Sequence, residues 1–226
     1  MAAMFVGAAM AAGLSVTPGA AALGQQTSAG IKLPDAGHEG TMSLEGALWA
    51  RHSTRAFTRD SIALADLGQL LWAADGVNRP NSHRTAPSAM ATYPLELYVV
   101  ASRVRDLPAG IYHYQVATHE VERVAAGDRL PELVSTAARS AWIADAAAVV
   151  VFAGAFDRAA GRMRDRAEQF ISIEVGAAAQ NLYLQAAALG LGTTFVGSAQ
   201  DSAVQRIAGL RPGERPMGIM PVGHPR

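Results

Sequence analysis

Cysteine does not occur anywhere in the 226 residues, and its absence removes disulfides, thiolate catalysis and zinc-finger ligand sets together. It leaves the compartment open, because an exported protein can manage without disulfides. Lysine is nearly absent as well: Lys32 is the only one, so no lysine catalyst stands in the core. Neither sign of charge prevails, with 19 Lys and Arg against 19 Asp and Glu, which gives no global electrostatic case for nucleic acid or an anionic membrane surface. The six histidines (His38, His52, His83, His113, His119, His224) contain no HxxxH pair, and no metal site is expected. His113 and His119 flank a predicted turn and read as surface residues. A GxSxG elbow, a P-loop GK[ST] and a strand-linked GxGxxG are all missing. Leu189-Gly190-Leu191-Gly192 follows a helix, where the dinucleotide fingerprint requires a strand.

What is present is a globular composition, half hydrophobic and 17% charged. The length suits one sizeable domain. Residues 1–22 are small and apolar, with Ala20-Ala21-Ala22 as a cleavage-like site. They read as a signal peptide or apolar leader, although the positive n-region of a secretory signal is missing. They are too short and too rich in Ala and Gly for a membrane span. Export to the periplasm or outside follows if the leader is a signal, and a cytoplasmic location if it is not. Residues 23–42 read as a linker, and 43–226 as the folded domain.

Within that domain a helix opens at Ser43-Leu44-Glu45-Gly46 and ends near Arg51. Leu64, Leu67, Leu70 and Leu71 predict an amphipathic helix over 63–74. Residues 76–82 read as a loop. Strands are expected at 95–101, 110–114 and 119–124, a helix at 129–139, and a strand buried on both faces at 146–153. The longest helix spans about 165–189. Its small residues on several sides place it centrally, and Gly190 and Gly192 stop it. Short strands at 193–196 and 217–222 enclose a helix at 202–209. The irregular alternation favours an α+β layer fold over a doubly wound parallel sheet.

Three segments carry the candidate chemistry. In Arg51-His52-Ser53-Thr54-Arg55-Ala56-Phe57, an extended backbone points Arg51, Ser53 and Arg55 the same way. A helical backbone puts Arg51 and Arg55 at i, i+4. Either gathers two guanidinium forks and a hydroxyl suited to a phosphate, and a solvated basic surface is the competing reading. The second segment, from Arg84 through Pro87-Ser88-Ala89-Met90-Ala91 to Pro94, leads into a strand. Its small residues allow a flat ligand to lie against backbone. The third runs from Glu174 through Gln180-Asn181-Leu182-Tyr183 to Gly192, then Phe195-Val196-Gly197-Ser198. Asp157 to Arg166, with alternating Arg and Asp, reads as a lid over the site or as a solvated helix face.

In that order, and from about Leu44 to Pro225, these segments resemble the FMN-dependent nitroreductase superfamily, and within it the SagB and thiazoline-oxidase branch. RTAPSA, LYVV, GIYHY, QNLYLQAAALGLG and the closing Pro221-Val222-Gly223-His224-Pro225 are similar to that branch. The resemblance implies a three-layer α+β fold, a mostly antiparallel sheet flanked by helices, in an intertwined homodimer with flavin at the interface. It implies FMN as cofactor, NADH or NADPH as donor, and a nitroaromatic or quinone-like acceptor. Arg51, His52, Ser53 and Arg55 would hold the phosphate and ribityl chain. Pro87, Ser88, Ala89 and Met90 would line the ring, and Val196 and Gly197 would offer a backbone N–H to flavin N5, so that no protein side chain is catalytic. Arg226 stands in for a missing C-terminal basic pair. Departures are Ala91 and Met90, where relatives carry Asn and Gly, and Ala177 in place of a His. The Lys-Tyr pair of azoline oxidases is absent too. Two alternatives follow: a SagB-like dehydrogenase of a peptide or small metabolite using oxygen, and a non-catalytic flavin-binding module.

Overall fold

The protein is described by a computed structural model over Met1 and residues 30–136, 141–199 and 201–226. Of the leader expected at 1–22, residues 2–22 lie outside the described residues. The first described strand is β1 (Ile31–Lys32), followed by α1 (Leu44–Ala50) and α2 (Leu64–Asp75). A small hairpin, β2 (Val77–Arg79) and β3 (His83–Arg84), precedes β4 (Leu95–Ala101), β5 (Gly110–Gln115) and β6 (Glu120–Ala126). Then come α3 (Leu130–Val134), β7 (Ala148–Ala155), α4 (Phe156–Met163) and α5 (Ala167–Ala188). The chain closes with β8 (Gly192–Thr193), α6 (Asp201–Ala208) and β9 (Glu214–Gly223).

Seven strands form one sheet in the order β1-β6-β5-β4-β7-β9-β8, every pair antiparallel. The alternation of side chains separates two cores. Leu95, Leu97 and Val99 of β4, with Val150 and Phe152 of β7, pack against Leu67, Leu70 and Leu71 of α2 and Ile171, Val175 and Leu182 of α5. The other face turns Tyr98, Val100, Val149 and Val151 toward Leu130, Leu133, Val204 and Ile207 of α3 and α6. Burial on both faces explains the unbroken apolar run of β7. The arrangement is the α+β layer fold that the sequence predicts.

Local chemistry sets the element ends. Ser43 Oγ accepts the Gly46 N–H at 3.0 Å and caps α1. α5 ends in a Schellman motif: Gly190 takes φ +68°, its N–H donates to Ala187 O at 3.1 Å, and Leu191 N–H to Ala186 O at 2.8 Å. In β9 the register slips between Phe152↔Gly218 and Ala153↔Pro216, which leaves Met217 as the extra residue of a bulge.

Four expectations differ from the structure. The linker assigned to 23–42 contains β1, whose Ile31 and Lys32 pair with β6, and Leu33 is buried behind it. The loop expected at 76–82 is largely the β2–β3 hairpin. The helix expected over 129–139 is helical only at Leu130–Val134, and residues 137–140 lie outside the described residues. The strand expected at 193–196 is shorter, with Val196 joined to Ile219 by an isolated bridge.

Candidate active site

Arg51 follows the last turn of α1, and from there the chain runs extended. Thr54 turns inward: its N–H donates to Thr193 O at 2.9 Å, and a Cβ on Gly192 would meet its side chain at 2.5 Å. Inward Thr54 leaves Arg51, Ser53 and Arg55 on the alternate side, with His52, Ser53 and Arg55 exposed and Arg51 half-buried. The His52 ring lies 2.9 Å from Ala50 O through Nδ1. Arg51, His52 and Thr54 line a cavity of about 160 Å³ with Tyr183, Gly190, Thr193 and Pro225.

Tyr183 is where the segments meet. Its hydroxyl accepts the Phe195 N–H at 2.6 Å, donates to Thr194 Oγ1 at 3.3 Å and lies 3.5 Å from Ser53 Oγ. The Arg51 guanidinium stands over its ring, 5.2 Å from the centroid. Burial pushes the phenol upward in pKa, but Ser53, Thr194, the Phe195 N–H and the Arg51 charge outweigh it and hold the group below the ordinary tyrosine value. Beside it, Thr193 Oγ1 is buried and makes no hydrogen bond with any described residue. A buried hydroxyl without a partner is costly. Thr193 lines the cavity that also carries the Arg51 guanidinium, while its hydroxyl is covered. The guanidinium suits an anionic group such as a phosphate ester.

A second cavity, about 390 Å³, shares Tyr183 with the first and is lined by Ser172, Val175, Gly176, Ala179, Gln180, Phe195 and Met217. Five of these with Tyr183 fall on one stripe of α5. The β9 bulge gives the slot Met217. Phe195 lies on Gly218, where a Cβ would meet the ring at 2.2 Å, so only glycine lets the ring rest there. The slot is walled by small residues of α5, by Gln180 and Tyr183, and by Phe195 and Met217.

The two residues expected to offer a backbone N–H separate. Val196 is buried and its N–H already donates to Ile219 O at 2.9 Å, so it is committed to the sheet. Gly197 is exposed, and its N–H makes no bond to another described residue. Arg226 is also placed elsewhere: its guanidinium pairs with Asp145 at 3.7 Å. Ser53 and Arg55 do not line the cavity beside Arg51 either, but they follow Arg51 directly on the same side of the extended chain.

Pro87, Ser88, Ala89 and Met90 do not join Arg51. Ala89 N–H donates to Glu174 Oε1 at 2.7 Å, nine positions before Tyr183 on α5, or about 13 Å along the axis at ~1.5 Å per residue. Pro87 and Met90 are exposed, and Ser88 Oγ accepts the Tyr93 N–H at 2.8 Å. The segment 157–166 is neither a free lid nor a purely solvated face. Arg158 of α4 donates to Tyr93 O at 2.5 Å and to Glu96 at 2.5 Å, and Arg162 donates to Met90 O at 2.9 Å.

The surface reading of His113 fails. It is 3% exposed, pairs with Glu96 at 2.7 Å and takes the Gln115 amide at 2.9 Å. Its place in the middle of a sheet flanked by helices, which one sequence does not display, buries it. Sequence reasoning also passed over Tyr183 and Thr193 as site residues. The signal for Tyr183 is a hydroxyl-bearing aromatic on a helix stripe of mostly small residues, while nothing in the sequence marks Thr193. Among the described residues no group of three or more His, Asp or Glu is arranged to hold a metal ion. No described helix is long and apolar enough to cross a membrane.

Comparison with known proteins bears on the family and the fold. The model of the nitroreductase family matches residues 48–224. The nitroreductase-named protein MJ1384 of Methanocaldococcus jannaschii is 36% identical over 193 residues, 85% of this chain and 95% of that protein. A nitroreductase-named crystal structure from Ralstonia eutropha superposes with a TM-score of 0.75 at 31% identity, covering 87% of this chain and 90% of the other. Two more distant structures share the fold. The Escherichia coli microcin synthetase McbBCD complex has a TM-score of 0.69 at 21% identity, covering 95% of this chain and 85% of the other. The NADPH:FMN oxidoreductase of Vibrio harveyi has 0.58 at 20%, covering 80% and 68%. With a family match across most of its length and a relative above one-third identity, this chain belongs to the nitroreductase family.

Proposed function

We propose that the protein is an FMN-dependent oxidoreductase that passes two electrons from NADH or NADPH to a small organic acceptor, a nitroaromatic or a quinone. The observation that carries this reading is the pair of adjoining cavities on α5, one beside the Arg51 guanidinium and one walled by small residues, Phe195 and Met217, with Tyr183 common to both. Arg51 from the cavity wall, with Ser53 and Arg55 on the same side of the extended chain, would hold the phosphate through charge-assisted and neutral hydrogen bonds. Gly176, Ala179, Phe195 and Met217 would wall the ring, with the Gly197 N–H presented to its N5 edge. FMN, when bound, supplies the hydride chemistry. The chain binds it, orients it and fixes a backbone dipole beside the reacting atom, which needs no titratable side chain.

The site would be completed by a second copy. Leu44, Leu48 and Trp49 on α1 and Ile173 on α5 are exposed apolar side chains, and Trp49 is 93% exposed. In a homodimer that covers them, the 87–90 loop, which stands apart from Arg51 within one chain, would serve the partner's ring.

A SagB-like dehydrogenation is the weaker reading. The sole lysine is on β1, where its Nζ donates to Thr118 O at 2.6 Å. β1 and β8 are opposite edges of the sheet, so no lysine stands near Tyr183. The test is an absorbance spectrum of purified protein supplied with FMN, followed by anaerobic NADPH or NADH. The expected result is a bound-flavin spectrum that bleaches with donor and returns with a nitroaromatic or quinone. Protein that stays colourless sinks the reading, and bound flavin that neither nucleotide reduces favours a non-catalytic flavin module.

A further inference from the structure

We propose that Tyr183 couples the two halves of the cofactor site, so that an anion bound beside Arg51 tightens the binding of a flavin ring against Phe195–Gly197. The inference rests on the flavin reading above and deepens it. Two segments that are distant in sequence converge on this one side chain. Ser53 approaches its hydroxyl at 3.5 Å and Arg51 covers its ring at 5.2 Å, both from the chain after α1. Phe195 donates its N–H to the same hydroxyl at 2.6 Å, from the segment that leads to Gly197. Tyr183 is the residue that lines both cavities.

The physical consequence is a shared cost of ordering. An anion that engages Arg51 and Ser53 immobilises the groups on one side of the phenol. A fixed Tyr183 donates to Thr194 and accepts from Phe195 at once, which holds the segment that presents the Gly197 N–H. A ring arriving next meets a segment already in place and binds more tightly, and by reciprocity the ring tightens the anion.

Riboflavin and inorganic phosphate separate the two halves of the cofactor. Riboflavin fluorescence titrations with and without phosphate, at constant ionic strength, should show the ring binding about fivefold or more tighter with phosphate, the low end of ordinary coupling between sites. In Tyr183→Phe the two ligands should bind independently, because Phe195 loses its acceptor and Ser53 its neighbour. If that variant does not fold, as judged by circular dichroism, Ser53→Ala carries the same test from the phosphate side. Wild-type protein that binds neither FMN nor riboflavin would remove the flavin reading, and the coupling with it. Flavin binding that phosphate leaves unchanged would overturn the coupling alone, as would an equal phosphate effect in wild type and in the variant.

Discussion

Glu174, buried in the middle of α5, accepts the backbone N–H of Ala89 at 2.7 Å. The bond anchors a loop that carries Met90 at φ 54°, Ala91 at φ 51° and Tyr93 at φ 45°. Non-glycine residues in this region each cost about 1–3 kcal/mol, and they persist only where surroundings over-determine them. Here the surroundings are Glu174 below, Ser88 within the loop, and Arg158 and Arg162 reaching over from α4.

Replacing Glu174 by Ala should therefore cost about 1–3 kcal/mol, the range for a partly buried donor left without its acceptor. Glu174→Gln keeps a carbonyl in place and should cost less. Urea unfolding of the three proteins measures the difference, and equal midpoints would show that the loop is held without Glu174.

Asp75 predicts a pH dependence. Burial drives its carboxyl up to about 7, against the opposing Arg84 guanidinium it contacts. In the unfolded chain it ionises near its ordinary value of 3.8. Between those values the folded form binds more protons than the unfolded one, so the contribution of Asp75 to stability falls as pH rises from about 4 to 7. Urea unfolding at pH 5 and pH 8 should show wild type losing stability over that step, and Asp75→Asn should lose less. A variant slope as steep as wild type would place the titration elsewhere.

For the phosphate, Arg55→Ala should weaken FMN binding about tenfold, within the ordinary worth of a hydrogen bond to a charged group, and leave the melting temperature within a few degrees. Arg226→Ala should leave FMN affinity unchanged, because its guanidinium faces Asp145. Fluorescence quenching of FMN compares the two. A larger loss at Arg226 would reverse the assignment.

How much of this was legible in the sequence depended on the range of the interaction. The α2 stripe of Leu64, Leu67, Leu70 and Leu71 and the Gly190 stop are local, and both appear as expected. Arg51 and Ser53 were visible as phosphate-binding residue types at alternate positions. Val196 was not separable from Gly197, because only the pairing with Ile219 decides which amide is free. His113 could not be placed without knowing that Glu96 and Gln115 would surround it. The edge strand β1 escaped notice because two residues carry no periodicity.

Trp49 gives the assembly its test. An indole 93% exposed beside Leu44 and Leu48 is the sort of anchor that dominates interfaces. Trp49→Glu should shift the sedimenting species from dimer to monomer. A dimer that persists in the variant would put the contact on another surface.

Gly218 stands behind the slot and borders neither cavity, yet Phe195 can lie flat only because position 218 carries no side chain. The breadth of the opening is thus set from the sheet side, by the lack of one carbon atom on β9. What this pocket admits is governed partly by a residue that would never meet its guest, and a search for selectivity confined to lining side chains would pass it by.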